Sequence, residues 1–422
     1  MRTYLGSLGC KLNQAEMDAL SESLARAGHE IVASAAEAEL CVFSTCAVTG
    51  VAAQKSRQAV RHLHRENPRA RLVVTGCYAE LAAAEVRKLP GVVLVARNRD
   101  KEQLDRLLAG PGCVSRSTLV HPAFHARTRA LVKIQDGCDN ACTYCIIHTA
   151  RGPQRSRPPD EVVADVQARR EEGYQEVVLT GVHIGAYGRD RGGGLEVDLW
   201  ELVSRILAET DVPRVRLSSI EPWDLTGGAL QLWEDVRLCP HLHLPLQSGC
   251  DATLRRMARR YTAAGFARLV DEARLAIPDL AVTTDLIVGF PGETEQEFAE
   301  SLALVGSLGP ARAHVFPFSA RPGTPAAGML GQVPPGVKDA RAAAMRRVAS
   351  ASQRAFQQRF LGRRMGVLWE SARESASGRT WSGLTGNYLR VYAASDEDLH
   401  NRIAPVRLVA LVNGGLQGQL EI

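Results

Sequence analysis

The first hundred residues alternate short apolar runs with longer stretches of helical periodicity. Thr3–Leu8, Leu40–Ser44, Leu72–Thr75 and Val92–Val95 have the length of strands, and Gln14–Ala27, Val51–Arg65 and Glu80–Leu89 between them read as helices. This alternation predicts a doubly wound parallel sheet over residues 1–110. Pro111, Gly112 and Pro122 among scattered polar residues mark 111–130 as a linker. The alternation then restarts. Leu131–Gln135, Glu176–Leu179, Val215–Ser218, Leu242–Leu246, Ala281–Val288 and His314–Phe318 are candidate strands, with helices such as Asp160–Glu172, Leu195–Glu209 and Thr262–Ala276 between them. Six such units predict a partial β/α barrel, because a closed one has eight. Met345, Val348, Phe356 and Phe360 recur at helical spacing and close this region at 361. From Gly362 onward the pattern is of short strands and turns: Gly366–Trp369, Leu389–Tyr392, Arg407–Val412 and Leu416–Ile422. Residues 362–422 therefore predict a small β-barrel. The fold class is α/β, in three parts.

Composition narrows the function classes. With 422 residues, 45% hydrophobic and 23% charged, the chain is globular rather than disordered. No apolar run approaches the roughly 20 residues of a membrane span, and MRTYLGSLGC does not read as a signal peptide, so a cytoplasmic protein with no membrane partner is expected. The net charge of +5 says little, but its distribution says more. From Lys338 to Arg364 eight basic residues, including Arg346, Arg347 and Arg354, stand against the single acid Asp339. Such a block suits a phosphate backbone; a solvated face in an arginine-rich protein is the competing reading.

Ten cysteines in a cytosolic chain point to metal binding or catalysis before disulfides. In KIQDGCDNACTYC, Cys138, Cys142 and Cys145 are spaced C-x3-C-x2-C just after the first barrel strand. Three thiolates can hold three irons of a [4Fe–4S] cluster and leave the fourth open to a substrate. Structural zinc is the alternative, but it normally takes four ligands, and His148 is the only nearby candidate to complete a set. The motif, with Tyr144 before its third cysteine, resembles that of the radical S-adenosylmethionine (SAM) enzymes. The resemblance implies that the open iron chelates SAM and that reductive cleavage yields methionine and a 5′-deoxyadenosyl radical.

Three further cysteines, Cys10, Cys46 and Cys77, each follow a predicted strand of the N-terminal sheet. In an open α/β sheet the loops at the carboxyl ends of strands face one crevice, so three isolated cysteines there predict a second cluster site. Cys41, Cys113, Cys239 and Cys250 are read as buried structural thiols.

Taken together the chain resembles the methylthiotransferases, radical SAM enzymes that insert sulfur into a C–H bond and methylate it. The resemblance extends over ARGPQRSR (150–157), RLSSIEP (216–222), PLQSGCDATLRRMARRYT (245–262), TDLIVGFPGETEQEF (284–298), HVFPFSARPGTPA (314–326) and GLTGNYLRVY (383–392). It implies two [4Fe–4S] clusters, SAM as cofactor, a TRAM-like C-terminal RNA-binding barrel, tRNA as partner, a reductant such as flavodoxin or ferredoxin, and a sulfur source. It places Thr180, Gly181, Glu221 and Gln247 at the SAM site with Tyr144, and the Gly289–Gly292 turn near adenine. Two departures stand out: Ser44-Thr45 where the family has Asn-Thr, and Ile147-His148-Thr149 where it has Ile-Pro-Tyr. Leu8-Gly9-Cys10-Lys11-Leu12-Asn13-Gln14 resembles the subgroup acting on threonylcarbamoyl-adenosine. Other subgroups act on isopentenyl-adenosine or a ribosomal-protein aspartate. Lys11 is read either as facing the threonylcarbamoyl carboxylate or as an exposed helix-start lysine. Trp381, Tyr388 and Tyr392 are candidates to stack on bases, or else core residues.

Overall fold

In the computed structural model, residues 1–109, 127–190, 193–375 and 378–421 are described. The N-terminal sheet has five parallel strands in the spatial order Glu30–Ile31, Arg2–Ser7, Leu40–Thr45, Arg71–Gly76 and Val92–Val95. Four of the five match the predicted runs. The fifth, Glu30–Ile31, is two residues long and carries no readable alternation. The central strand Leu40–Thr45 is buried along its whole length, as expected of a parallel strand covered on both faces. Most of the predicted linker lies outside the described residues, as does Cys113; the first barrel strand begins at Arg129, inside the segment read as linker.

Six parallel strands form the central arc in chain order: Arg129–Lys133, Glu176–Thr180, Arg214–Leu217, His241–His243, Ala281–Val288 and Arg312–Pro317. A bridge between Ser219 and His243 joins its two three-stranded halves. The apolar faces of the helices meet these strands in one core that includes Val132, Val177, Val215, Leu242, Val282 and Phe266. The last of the six strands is partly exposed: His314 and Phe316 alternate with half-buried Ala313 and Val315.

The helix Pro335–Gln358 packs Met345 into the barrel core and Phe356 into the C-terminal one, where Phe360 joins it. That C-terminal core is a closed barrel of five strands: Arg364–Ser375, Gly378–Thr385, Arg390–Ala394, Gly415–Leu420 and Ile403–Val412 in spatial order. Gly378–Thr385 lies outside the predicted strands, since its Ser382 and Gly383 interrupt the apolar pattern.

The turn after that strand reaches the base of the central arc. Arg216 donates to the carbonyls of Gly386 and Thr385, and Arg214 to those of Leu384 and Gly366. Tyr388, at φ +67°, stacks on His241 with ring centroids 4.6 Å apart. Trp381 is buried and donates to the Glu397 carbonyl. Trp381 is therefore a core residue, whereas Tyr388 and Tyr392 are half-buried, Tyr388 packed on His241.

Candidate functional site

Cys138, Cys142 and Cys145 sit on the loop that leaves the first barrel strand, and this loop is shaped by its backbone. Gly137 has φ +69°, and a Cβ there would lie 2.0 Å from the Pro153 carbonyl oxygen. Cys138 N–H donates to the Gly152 carbonyl and Cys145 N–H to that of Cys142. Asn140 N–H points at the Cys138 thiol, 3.4 Å away. The three thiols are electrostatic neighbours, and burial raises Cys142 and pushes Cys145 up to about 12. Such thiols ionise only beside strong positive charge, which bound iron supplies.

The side chains around this loop form two braces. In the first, Arg259, with its side chain 1% exposed, holds both oxygens of Glu221 and points Nη1 at the Cys142 thiol from 3.4 Å. Trp223 and Tyr261 flank its guanidinium at 4.9 and 5.1 Å. In the second, His183 lies between Asp224, 2.5 Å away, and Cys138, with Asn140 at 3.2 Å. Burial opposes its charge, but Asp224 and the Cys138 thiol outweigh this and raise His183 to about 9. His148, the zinc candidate, instead meets the Cys138 carbonyl through Nδ1 at 2.8 Å. Among the described residues no three of His, Cys, Asp or Glu converge on a single-ion site.

The residues expected at the SAM site ring the same mouth. Thr180 ends the second barrel strand, and its carbonyl accepts from Ile134 N–H. A Cβ at Gly181 would lie 2.9 Å from the Gln135 carbonyl oxygen, so only glycine fits there. Gln247, at φ +61°, bridges to Leu286 through its backbone. Glu221 is engaged by Arg259. Tyr144 meets Phe290 of the Gly289–Gly292 turn edge-on at 6.5 Å, in an apolar cluster with Met257 and Phe318.

The other triplet also converges. Cys10 caps the helix Lys11–Arg26, Cys46 follows the strand Leu40–Thr45, and Cys77 opens the helix Cys77–Leu81. Cys46 has both Cys77 and Cys10 as electrostatic neighbours, and burial raises its thiol and that of Cys77. Glycines make the approach possible. A Cβ at Gly9 would stand 3.0 Å from Cys46 Sγ, and one at Gly76 2.3 Å from the Thr45 carbonyl oxygen. The buried hydroxyls of Ser44 and Thr75, each two residues before a cysteine, have no hydrogen-bond partner. Three thiols around a glycine-lined crevice fit an iron–sulfur group. Cys41, Cys239 and Cys250 are buried away from both triplets; burial raises all three thiols, Cys41 and Cys239 to about 11.

Two family models match the chain: the radical SAM superfamily over residues 132–305, and uncharacterized protein family UPF0004 over residues 2–96. The threonylcarbamoyladenosine tRNA methylthiotransferase MtaB of Bacillus subtilis is 36% identical over 420 residues, covering 96% of this chain and 92% of that one. The chain belongs to the radical SAM methylthiotransferases. The MtaB of Thermotoga maritima is 37% identical over 86% of this chain and 85% of its own. The tRNA-2-methylthio-N(6)-dimethylallyladenosine synthase of Maricaulis maris is 31% identical, covering 99% of this chain and 97% of its own. Among solved structures, the radical SAM methyltransferase TsrM of Kitasatospora setae shares the fold at a TM-score of 0.58 and 15% identity, over 77% of each chain. The chain is thus a methylthiotransferase built on a radical SAM barrel, the fold class its periodicity predicts.

Several residues of this methylthiotransferase site carry no signal of their own in the sequence. Arg259 and Arg151 are two of 51 basic residues, and His183 and Asp224 are 41 positions apart. Of the two readings of Lys11, the exposed helix-start lysine does not match its setting. It is half-buried beside Tyr388, Arg129, Arg216 and Glu176, and burial pushes its pKa down. In the basic block, Arg346, Arg347 and Arg354 are exposed. Arg341 is buried against Glu293 at 2.7 Å, Arg363 pairs with Asp279 and Arg364 with Glu421, so the surface charge is smaller than the formal count.

Proposed function

We propose that this enzyme methylthiolates C2 of N6-threonylcarbamoyladenosine next to the anticodon of tRNA, giving the 2-methylthio nucleoside. Two [4Fe–4S] clusters would serve it, one held by Cys138, Cys142 and Cys145, the other by Cys10, Cys46 and Cys77. SAM, bound at the open iron of the first, supplies the radical on one-electron reduction and is also the methyl donor. The observation that carries the reading is the convergence of two separate cysteine triplets in a chain so similar, along its length, to threonylcarbamoyladenosine tRNA methylthiotransferases.

The chain's own residues do the positioning. Arg259 fixes Glu221 and Cys142 together, so the carboxylate stands at the mouth in one orientation. Tyr144 and Phe290 offer an apolar wall for adenine, and Thr180, Gly181 and Gln247 backbone for the methionine end. Lys11, next to Cys10 and half-buried, favours an anionic substituent such as the threonylcarbamoyl carboxylate. Arg346, Arg347 and Arg354 on the exposed helix face would follow the tRNA backbone. A reductant such as flavodoxin or ferredoxin and a sulfur source complete the requirements. Residues 1–110, 131–361 and 362–422 would divide these tasks as cluster, radical and RNA-binding domains.

Nucleoside mass spectrometry of tRNA from a deletion strain and its complement tests the substrate. The methylthio-threonylcarbamoyl nucleoside should disappear and return. Loss of the methylthio-isopentenyl nucleoside instead would favour the second reading, supported by the Maricaulis relative. Anaerobically reconstituted protein should hold about eight irons, and about half after Cys138, Cys142 and Cys145 are changed to Ala. Stoichiometric zinc without iron would end the cluster reading.

A further inference from the structure

One guanidinium touches every segment that presents a cysteine of the N-terminal triplet, directly or through one intermediate. Arg151 lies six residues after Cys145, at the end of the helix Ile147–Arg151, and its side chain is 1% exposed. Nη1 donates to Glu16 Oε1 at 2.8 Å and to Asp136 Oδ1 at 2.9 Å; Nη2 donates to Asn13 Oδ1 at 2.5 Å. Its helix packs against the helix Cys77–Leu81, with the Cys77 thiol an electrostatic neighbour of the guanidinium. Asn13 in turn donates to the carbonyls of Leu8, two residues before Cys10, and Thr45, one before Cys46. Asp136 stands two residues before Cys138. Arg151 therefore joins the two ends of the radical-triplet loop and ties them, through Asn13 and Glu16, to the helix that follows Cys10.

The charges around Arg151 do not balance by themselves. Lys101 binds Glu16 at 2.5 Å, and Lys133 binds Glu16 at 3.1 Å and Asp136 at 2.7 Å. Three cations face two carboxylates in a largely buried place, where an uncompensated charge is costly. The Cys77 thiol is an electrostatic neighbour of both Arg151 and Lys101 and so faces that surplus.

We infer that Arg151 is a positioning residue that joins the two cysteine sites and raises the reduction potential of the cluster at Cys10, Cys46 and Cys77. A buried cation beside a ligand sulfur favours the state with one more electron. Glu16 acts in the opposite sense by partly neutralising that cation. The inference rests on the two-cluster reading above.

The test uses the full chain with Cys138, Cys142 and Cys145 changed to Ala, so that only the N-terminal cluster is loaded. Reduction transfers one electron from dithionite to that cluster and is followed by electron paramagnetic resonance against potential. Arg151→Met should shift the midpoint to more negative potential, and Glu16→Gln to less negative. Should Arg151→Met fail to take up iron, the sign of the Glu16→Gln shift decides alone. Loaded variants with an unmoved midpoint, or a Glu16→Gln shift to more negative potential, overturn the inference while leaving the two-cluster reading intact. If this background holds no iron, the two-cluster reading itself falls, and the inference with it.

Discussion

Arg259 and Glu176 show what a single buried charge is worth when its partner is well placed. Arg259 is enclosed by Glu221, Trp223, Tyr261 and the Cys142 thiol. Arg259→Met would leave Glu221 without its counter-charge, at a cost on the order of 3 kcal/mol. Reductive formation of 5′-deoxyadenosine should fall with it, because the Cys142 loop loses its brace; chemical denaturation and product assay read the two effects separately. Glu176, fully buried at the base of the arc, takes two bonds from Arg216, at 2.6 and 3.1 Å. Burial would raise its carboxyl, but Arg216 holds it below the usual range. The stabilisation from this pair is therefore present above about pH 4.5 and is lost as the pH falls through the depressed value. Glu176→Gln should cost about 3–5 kcal/mol at neutral pH and shallow the acid limb of a stability profile measured by urea melts. An acid limb unchanged from wild type would show that other carboxylates dominate it.

At the scale of elements, the helix Pro335–Gln358 serves two masters. One face buries Arg341, Met345 and Phe356 and so ties the barrel to the C-terminal strands. The other exposes Arg346, Arg347 and Arg354. Only the second face is free to follow a phosphate backbone. Reversing those three charges should weaken tRNA binding and reduce its salt dependence, by a slope of about 0.7–0.9 for each phosphate that is no longer neutralised. Filter binding across a salt series measures this, and an equal slope in variant and wild type would return the face to mere solvation. The same element explains part of what was legible. Met345, Val348, Phe356 and Phe360 stand at helical spacing and are buried or half-buried as that spacing predicts. The ion pairs of Arg341, Arg363 and Arg364 were not legible, because their acids lie 48, 84 and 57 positions away.

Across the whole molecule, two cysteine sites meet at a buried ion network, and a C-terminal barrel presses Tyr388 into the base of the arc. On the two-cluster proposal, this arrangement would separate radical generation from handling of the transferred sulfur. With Cys10, Cys46 and Cys77 replaced by Ala, 5′-deoxyadenosine should still form on reduction with SAM, while methylthiolated nucleoside falls below detection. Product persisting in that variant would show that the N-terminal site is not where the sulfur is held. The helices of the described residues include none long and apolar enough to cross a membrane.

The sequence by itself determined the elements and the candidate ligands. Six strand–helix units, the C-x3-C-x2-C motif and three cysteines at strand ends are local patterns, written in spacing and side-chain type. Only the tertiary structure decided which charges become buried. Arg151 meets Glu16 across 135 positions and Arg216 meets Glu176 across 40, and nothing near either arginine distinguishes it from one on the surface. It also decided that Tyr388 stacks on His241 and that Lys11 is half-buried beside Arg129, Arg216 and Glu176 rather than at an exposed helix start. The physical reason is one of range. Periodicity records which face of an element is apolar, but the environment of a polar side chain is set by whichever distant segment packs against it.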